Sequence, residues 1–233
     1  MHPAANIVPL LAIDASNNIR HFLGTACFVQ EPTLLLTADH CVRDWNEDFA
    51  ICLVTGLNQL FRAQVVFRDV AHDLALLVVS GYIAPTPLKV AHEFDHPNLQ
   101  IVSFEYGTTV TAGNKTHLNP ATRLGNVTRT VNAFDIVGAA GIDALELSFA
   151  ALRGASGAPV MKNDGQFEVI GIIIANASYH LLPAQIETVL DQQNTLLEET
   201  KFMLPQALAV NCKHITRMLA AFQEQRRNEA SKP

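Results

Sequence analysis

The sequence predicts an all-β protein built in two halves, with helix confined to its C-terminal part. Three observations carry that expectation. About twelve short apolar segments of strand length recur along the chain, separated by Gly, Pro, Asn and Asp, the spacing of a β-sandwich or barrel. A proline-rich break falls near the middle, at Ala84-Pro-Thr-Pro87 and again at His96-Pro97. Helical periodicity is found only towards the C-terminus.

Before the break, the strand segments are Asn6–Ile13, Arg20–Gln30, Thr33–Thr37, Ile51–Thr55, Ala63–Phe67 and Leu74–Val79. After it come Leu99–Phe104, Thr108–Thr111, Val127–Phe134, Ala144–Leu147, Ala158–Met161 and Phe167–Ala175. Two helices are expected. Over 213–225, Ile215, Met218, Leu219 and Phe222 recur as one buried helical face. Over Pro183–Thr200, a proline suits the first helical position, and Ile186, Val189, Leu190 and Leu197 fall roughly on one side. No repeat, low-complexity segment or linker interrupts the chain, and its length allows one large domain or two small ones.

Composition removes whole classes of function. Of the 233 residues, 49% are hydrophobic and 16% charged, with a net charge of −6; an average globular chain is roughly 25% charged. Disordered and nucleic-acid-coating proteins need low hydrophobicity or a basic surplus. The longest apolar run, Val169 to Ala175 around one Gly, is far short of the roughly 20 residues of a spanning helix. No Lys or Arg precedes Arg20, and Pro9 and Asp14 break the first apolar stretch. That is no secretory signal, so a cytoplasmic location is expected, with neither nucleic acid nor membrane as partner. Cys27, Cys41, Cys52 and Cys212 then read as reduced thiols, and the Asn-x-Ser/Thr sequences at Asn114, Asn126 and Asn176 as chance.

Three motifs carry chemistry. Leu34-Leu-Leu-Thr-Ala-Asp-His40-Cys41 ends a strand in a polar turn that presents a histidine. Ala71-His-Asp73-Leu-Ala-Leu-Leu77 puts an aspartate directly before an apolar strand. Gly154-Ala-Ser156-Gly-Ala-Pro159 sets a serine among small residues. A neutral hydroxyl attacks a peptide bond only when an imidazole takes its proton and a carboxylate fixes the imidazole tautomer. Small residues around the serine let backbone N–H groups converge on one developing oxyanion. Each motif alone occurs in ordinary turns. The order His40, Asp73, Ser156 is far more specific and matches one of the known chain orders of such triads.

These motifs resemble the trypsin-like (chymotrypsin-fold) serine peptidases, particularly bacterial members related to the HtrA catalytic domain. Thr37-Ala-Asp-His-Cys41 is similar to the family's Thr-Ala-Ala-His-Cys, His72-Asp-Leu-Ala-Leu-Leu77 to its Asp motif, and Gly154-Ala-Ser-Gly-Ala-Pro159 to its Gly-Asp-Ser-Gly-Gly-Pro. Val169-Ile-Gly-Ile-Ile-Ile174 resembles the strand after the nucleophile, and Leu208-Ala-Val-Asn211 the last strand. The resemblance spans about Ile7 to Phe222 and implies a single domain over 1–233, with barrels at about 7–90 and 98–211 and a helix at about 213–225. It implies two perpendicular six-stranded barrels with the site between them, His40 as general base, Asp73 as its orienting carboxylate and Ser156 as nucleophile. It further implies an oxyanion hole from the Gly154 and Ser156 N–H groups, a protein or peptide substrate, and no metal or organic cofactor.

Departures from the family pattern carry further expectations. Ala155 stands where activated members have an Asp, and no Ile-Val-Gly-Gly-type start is found, so activation by cleavage is not expected. Ala150, six residues before the serine, removes the counter-ion for Lys or Arg. With Ile174, Ala175, Asn176 and Ala207 as further pocket or edge residues, the resemblance implies cleavage after a small or medium uncharged side chain. Asp39 reads as a solvated turn residue, or, if it lies near His40, as a charge that favours the imidazolium, and the position facing Cys41 falls near Leu23. The Pro183–Thr200 stretch is extra chain beside the substrate walls: a helical insertion packed on the surface, or a docking element for a regulatory protein.

Two other readings compete. One is a trypsin-fold protein that only binds. The other is a zinc peptidase through His92-Glu-Phe-Asp-His96, which fits His-Glu-x-x-His. That motif needs a helix, and Pro97 follows it directly.

Overall fold

The structure is a computed structural model describing residues 2–44, 50–54, 59–94, 96–112, 115–132, 142–191 and 194–231. Six strands make the first closed barrel: β1 (Ile7–Ile13), β2 (Ile19–Phe28), β3 (Leu34–Ala38), β4 (Ala50–Val54), β5 (Leu60–Asp69) and β6 (Leu74–Val79), in the order β1-β2-β3-β6-β5-β4. After β7 (Gln100–Glu105), a small sheet of β8 (Val110–Ala112) and β9 (Lys115–His117) intervenes. The second barrel is completed by β10 (Ala121–Asn132), β11 (Asp143–Leu147), β12 (Pro159–Lys162), β13 (Val169–Asp191) and β14 (Asn194–Asn211), in the order β10-β11-β14-β13-β12-β7. The expected strand ends Thr55 and Phe134 lie outside the described residues.

Closure explains the charge-poor composition. A closed sheet buries its inner face, and the packed connections cover much of the outer one. Thus β1 and β3 are buried at every position, whereas β5 alternates between exposed and shielded residues. The proline-rich connection is pinned to both barrels. The Leu88 N–H donates to Phe28 O, and the Ala91 N–H donates to Val169 O, both at 2.9 Å.

One expectation is overturned. Pro183–Thr200 is not helical: its described residues continue β13 and β14 into a long hairpin, with Gln185 opposite Thr200 and Asp191 opposite Asn194. The apolar stripe that suggested a helix was sparse. Ile186, Thr188 and Val189 are β-branched and favour an extended chain, and the ladder inherited from the barrel supplies each strand's partner. Pro183, which lacks an N–H, falls within the register break between Leu181 and Gln185.

The C-terminal helix α1 (Cys212–Ala230) forms as expected, and Ile215, Met218, Leu219 and Phe222 are buried. Asn211 caps it, its Oδ1 accepting the Lys213 N–H at 3.1 Å. The helix returns to the first barrel, where Phe222 meets Phe67 edge to face with ring centroids 6.0 Å apart. His214 stacks on His72 at 4.0 Å, and both its ring nitrogens are buried with no hydrogen-bond partner among the described residues. Burial pushes the His214 pKa down to about 4, helped by His72, Lys213 and Arg217 and opposed by Asp69. A base with a depressed folded pKa stays neutral while the unfolded chain takes up a proton. Stability is therefore lost as pH falls from about 6.5 towards 4, by about 3 kcal/mol at most. Urea unfolding of His214→Phe, which keeps the stack, should show a correspondingly smaller loss between pH 7 and pH 4.5. An equal loss in both proteins would refute this.

Candidate active site

Each motif sits at the end of a buried strand. β3 runs into a 3-10 turn, Asp39–Cys41, closed by the Val42 N–H donating to Asp39 O at 2.9 Å. A second turn, Val70–His72, joins β5 to β6 and leaves Asp73 in the left-handed region at φ +54°. That strained conformation is over-determined by its neighbours. The Asp39 N–H donates to Asp73 O at 2.9 Å. The His40 N–H donates to Asp73 Oδ1 at 2.8 Å, and His40 Nδ1 lies 2.6 Å from Asp73 Oδ2. One buried carboxylate thus grips both the backbone and the ring of His40 and, by accepting from Nδ1, keeps a proton on that nitrogen. Burial is the largest single influence and pulls the His40 pKa down, but the hydrogen bonds to Asp73 and Cys41 and the electrostatic attraction of both groups together outweigh it, and the net shift is upward, to about 10.

The serine loop is held by its backbone. The Thr25 N–H donates to Ser156 O at 2.8 Å, Thr25 Oγ1 donates to Gly154 O at 3.0 Å, and the Gly157 N–H donates to Ile173 O at 2.8 Å. The Thr108 N–H takes up Arg153 O at 3.0 Å. Gly154 adopts φ +99°. Among the described residues the N–H groups of Gly154 and Ser156 have no protein acceptor. His40, Gly154 and Ser156 line one cleft of about 820 Å³, walled by Phe22 and Leu23 of the first barrel and by Thr108 and Arg153 of the second.

The five residues read as pocket and edge positions do not line that cavity. Ile174 and Ala207 are buried. The Asn176 side chain is engaged by the chain before the serine: its Oδ1 accepts the Ala151 N–H at 2.8 Å and its Nδ2 donates to Ala151 O at 2.7 Å. Ala150 and Ala175 are partly exposed. The Cys41 thiol faces Gly24, where a Cβ would come within 2.7 Å of Sγ, so the facing position is one residue beyond Leu23. Cys27, Cys41 and Cys212 are free and buried, and the side chain of Cys52 lies outside the described residues.

Asp39 is corrected. It is fully buried and paired with Arg68, not solvated. Sequence reasoning does not single out Thr25, although a threonine directly before the apolar run Ala26-Cys-Phe-Val29 is a usable signal. The zinc alternative loses its helix: His92, Glu93 and Phe94 lie in irregular chain, and Asp95 lies outside the described residues. Among the described residues no group of three or more His, Cys, Asp or Glu could hold a metal ion.

Comparison with known proteins now decides the family. The trypsin-like peptidase domain family matches residues 24–172, well over half of the chain. The chain belongs to the trypsin-like peptidases. Solved structures share the fold of this trypsin-like peptidase domain at low identity. The Rv3671c protease from M. tuberculosis in its active form superposes with a TM-score of 0.64 at 18% identity, covering 94% of this chain and 81% of that one. Its inactive form gives 0.62 at 18%, covering 94% and 90%. The apo MamO protease domain from Magnetospirillum magneticum gives 0.60 at 19%, covering 92% and 95%. A search among curated proteins returns no match. No helix of this trypsin-like peptidase domain, among the described residues, is long and apolar enough to cross a membrane.

Proposed function

We propose that this trypsin-like peptidase domain is a serine endopeptidase that works through an acyl-enzyme. The observation that carries the reading is the double grip of Asp73 on His40, in a cleft shared with Ser156 and with two N–H groups that have no acceptor among the described residues. Ser156 Oγ attacks the scissile carbonyl while His40 Nε2 takes its proton, and Asp73 stabilises the imidazolium. The oxyanion collects against the Gly154 and Ser156 N–H groups. His40 then protonates the leaving amine, and water repeats the sequence on the ester. The substrate backbone adds to the edge of β13 at Ile174–Asn176, which pairs with β14 on its other side. Ala150 offers no counter-ion and the Asn176 amide closes on Ala151, which supports cleavage after small or medium uncharged residues.

A fluorophosphonate should label wild-type protein on Ser156. The labelling rate should fall as pH drops, because His40 must be neutral to act as a base, and the midpoint should lie above the ordinary histidine value of about 6.5. A peptide library should reveal the preferred side chains. Failure to label under any condition would favour the binding-only reading.

A further inference from the structure

Asp39, the residue before the base, is a carboxylate at 0% exposure, and a buried charge is costly unless it is paired. Its partner is Arg68 on β5. Nε donates to Oδ1 at 2.6 Å and Nη2 to Oδ2 at 3.0 Å, a two-pronged fork. The position of this fork gives it meaning. Arg68 lies opposite Ala75 of β6, and Ala75 lies opposite Thr37 of β3. The guanidinium therefore reaches across the start of β6 to the turn that follows β3, straddling the turn that carries Asp73. The backbone of Asp39 spans the same gap, its N–H on Asp73 O. Side chain and main chain of one residue thus strap the His40 turn to the Asp73 turn.

We propose that Asp39 and Arg68 form a positioning pair for catalysis. The fork ties together the turns that carry base and carboxylate, and it neutralises a buried anion one residue from the base. The proposal rests on the serine-peptidase reading above. The groups facing His40 are Asp73 and Cys41, with Arg20, His21 and Arg153 on the cleft walls; Asp44 acts on Arg68. Without Arg68 the Asp39 carboxylate would be an uncompensated neighbour of the imidazole, favouring its charged form. Without the Asp39 charge, Arg68 would act in the opposite sense.

The test follows the His40 ring by NMR pH titration, its signal assigned by its loss in His40→Gln, alongside kcat, KM and thermal melts. Arg68→Met should raise the His40 pKa by about one unit. It should also lower kcat at pH 7 about tenfold, with KM within about twofold. Asp39→Asn should move the His40 pKa the other way. Arg68→Lys, which keeps the charge without the fork, should restore the His40 titration but not kcat. Variants that melt lower yet keep wild-type His40 titration and kcat would overturn the proposal. If the wild type cleaves no peptide, the serine-peptidase reading falls, while opposed His40 shifts would still support the pair and their absence would still overturn it.

Discussion

Ser156→Ala should lower kcat/KM by about 10⁴-fold or more and leave stability nearly unchanged. The activity loss follows from the mechanism: without Oγ there is no nucleophile, and the acyl-enzyme cannot form. The unchanged stability follows from the structure. The loop is held by the carbonyls of Gly154 and Ser156 and by the Gly157 N–H, all of which alanine preserves, and the serine hydroxyl makes no hydrogen bond among the described residues. His40→Ala should cost similar activity but also lower stability. It strips the buried Asp73 carboxylate of its 2.6 Å ring partner and leaves it, among the described residues, the backbone N–H of residue 40, and a buried acceptor left short of partners is expensive. The double variant should be barely slower than either single one, because the two residues act as a unit. Steady-state assays with urea denaturation would check both axes. A Ser156→Ala protein with substantial remaining turnover would exclude the proposed nucleophile.

Gly157→Ala should destabilise the protein by about 3 kcal/mol or more. The residue after the serine has φ +83°, and a Cβ there would lie 2.0 Å from Thr25 O and 2.2 Å from Thr37 Oγ1. Neither atom can withdraw cheaply. Thr37 Oγ1 donates to Thr25 O at 2.7 Å, while the Thr25 N–H supports Ser156 O. The clash thus reaches β2, β3 and the nucleophile together. Gly165→Ala is the control: its φ is +84°, but nothing lies within 4 Å of the added carbon. It should cost about 1 kcal/mol from backbone strain alone. Equal shifts in denaturation midpoint would show that conformation, and not the close approach, dominates at Gly157.

Local pattern revealed much of this protein because its elements are locally consistent. β3 and β6 read as apolar runs since both are buried on both faces, and the period of Ile215, Met218, Leu219 and Phe222 marks the buried face of α1. The hairpin arm did not read correctly. A short stretch with β-branched residues and a weak stripe fits either state, and the neighbouring strand decides it. Asp39 misled for a related reason. Charge in a turn ordinarily means solvent, and only the register of β5 against β6, and of β6 against β3, brings Arg68 over it.

Sequence by itself therefore determined the β character, the two-part division, the terminal helix and the three chemistry-bearing motifs, because each is written in neighbouring residues. Tertiary structure alone decided that Asp73 grips both backbone and ring of His40, that Thr25 braces the serine loop, that Asn176 closes on Ala151, and that Asp39 is buried against Arg68. Each of these joins residues far apart in the chain. Their meeting depends on barrel closure and strand register, which the local order of residues does not specify.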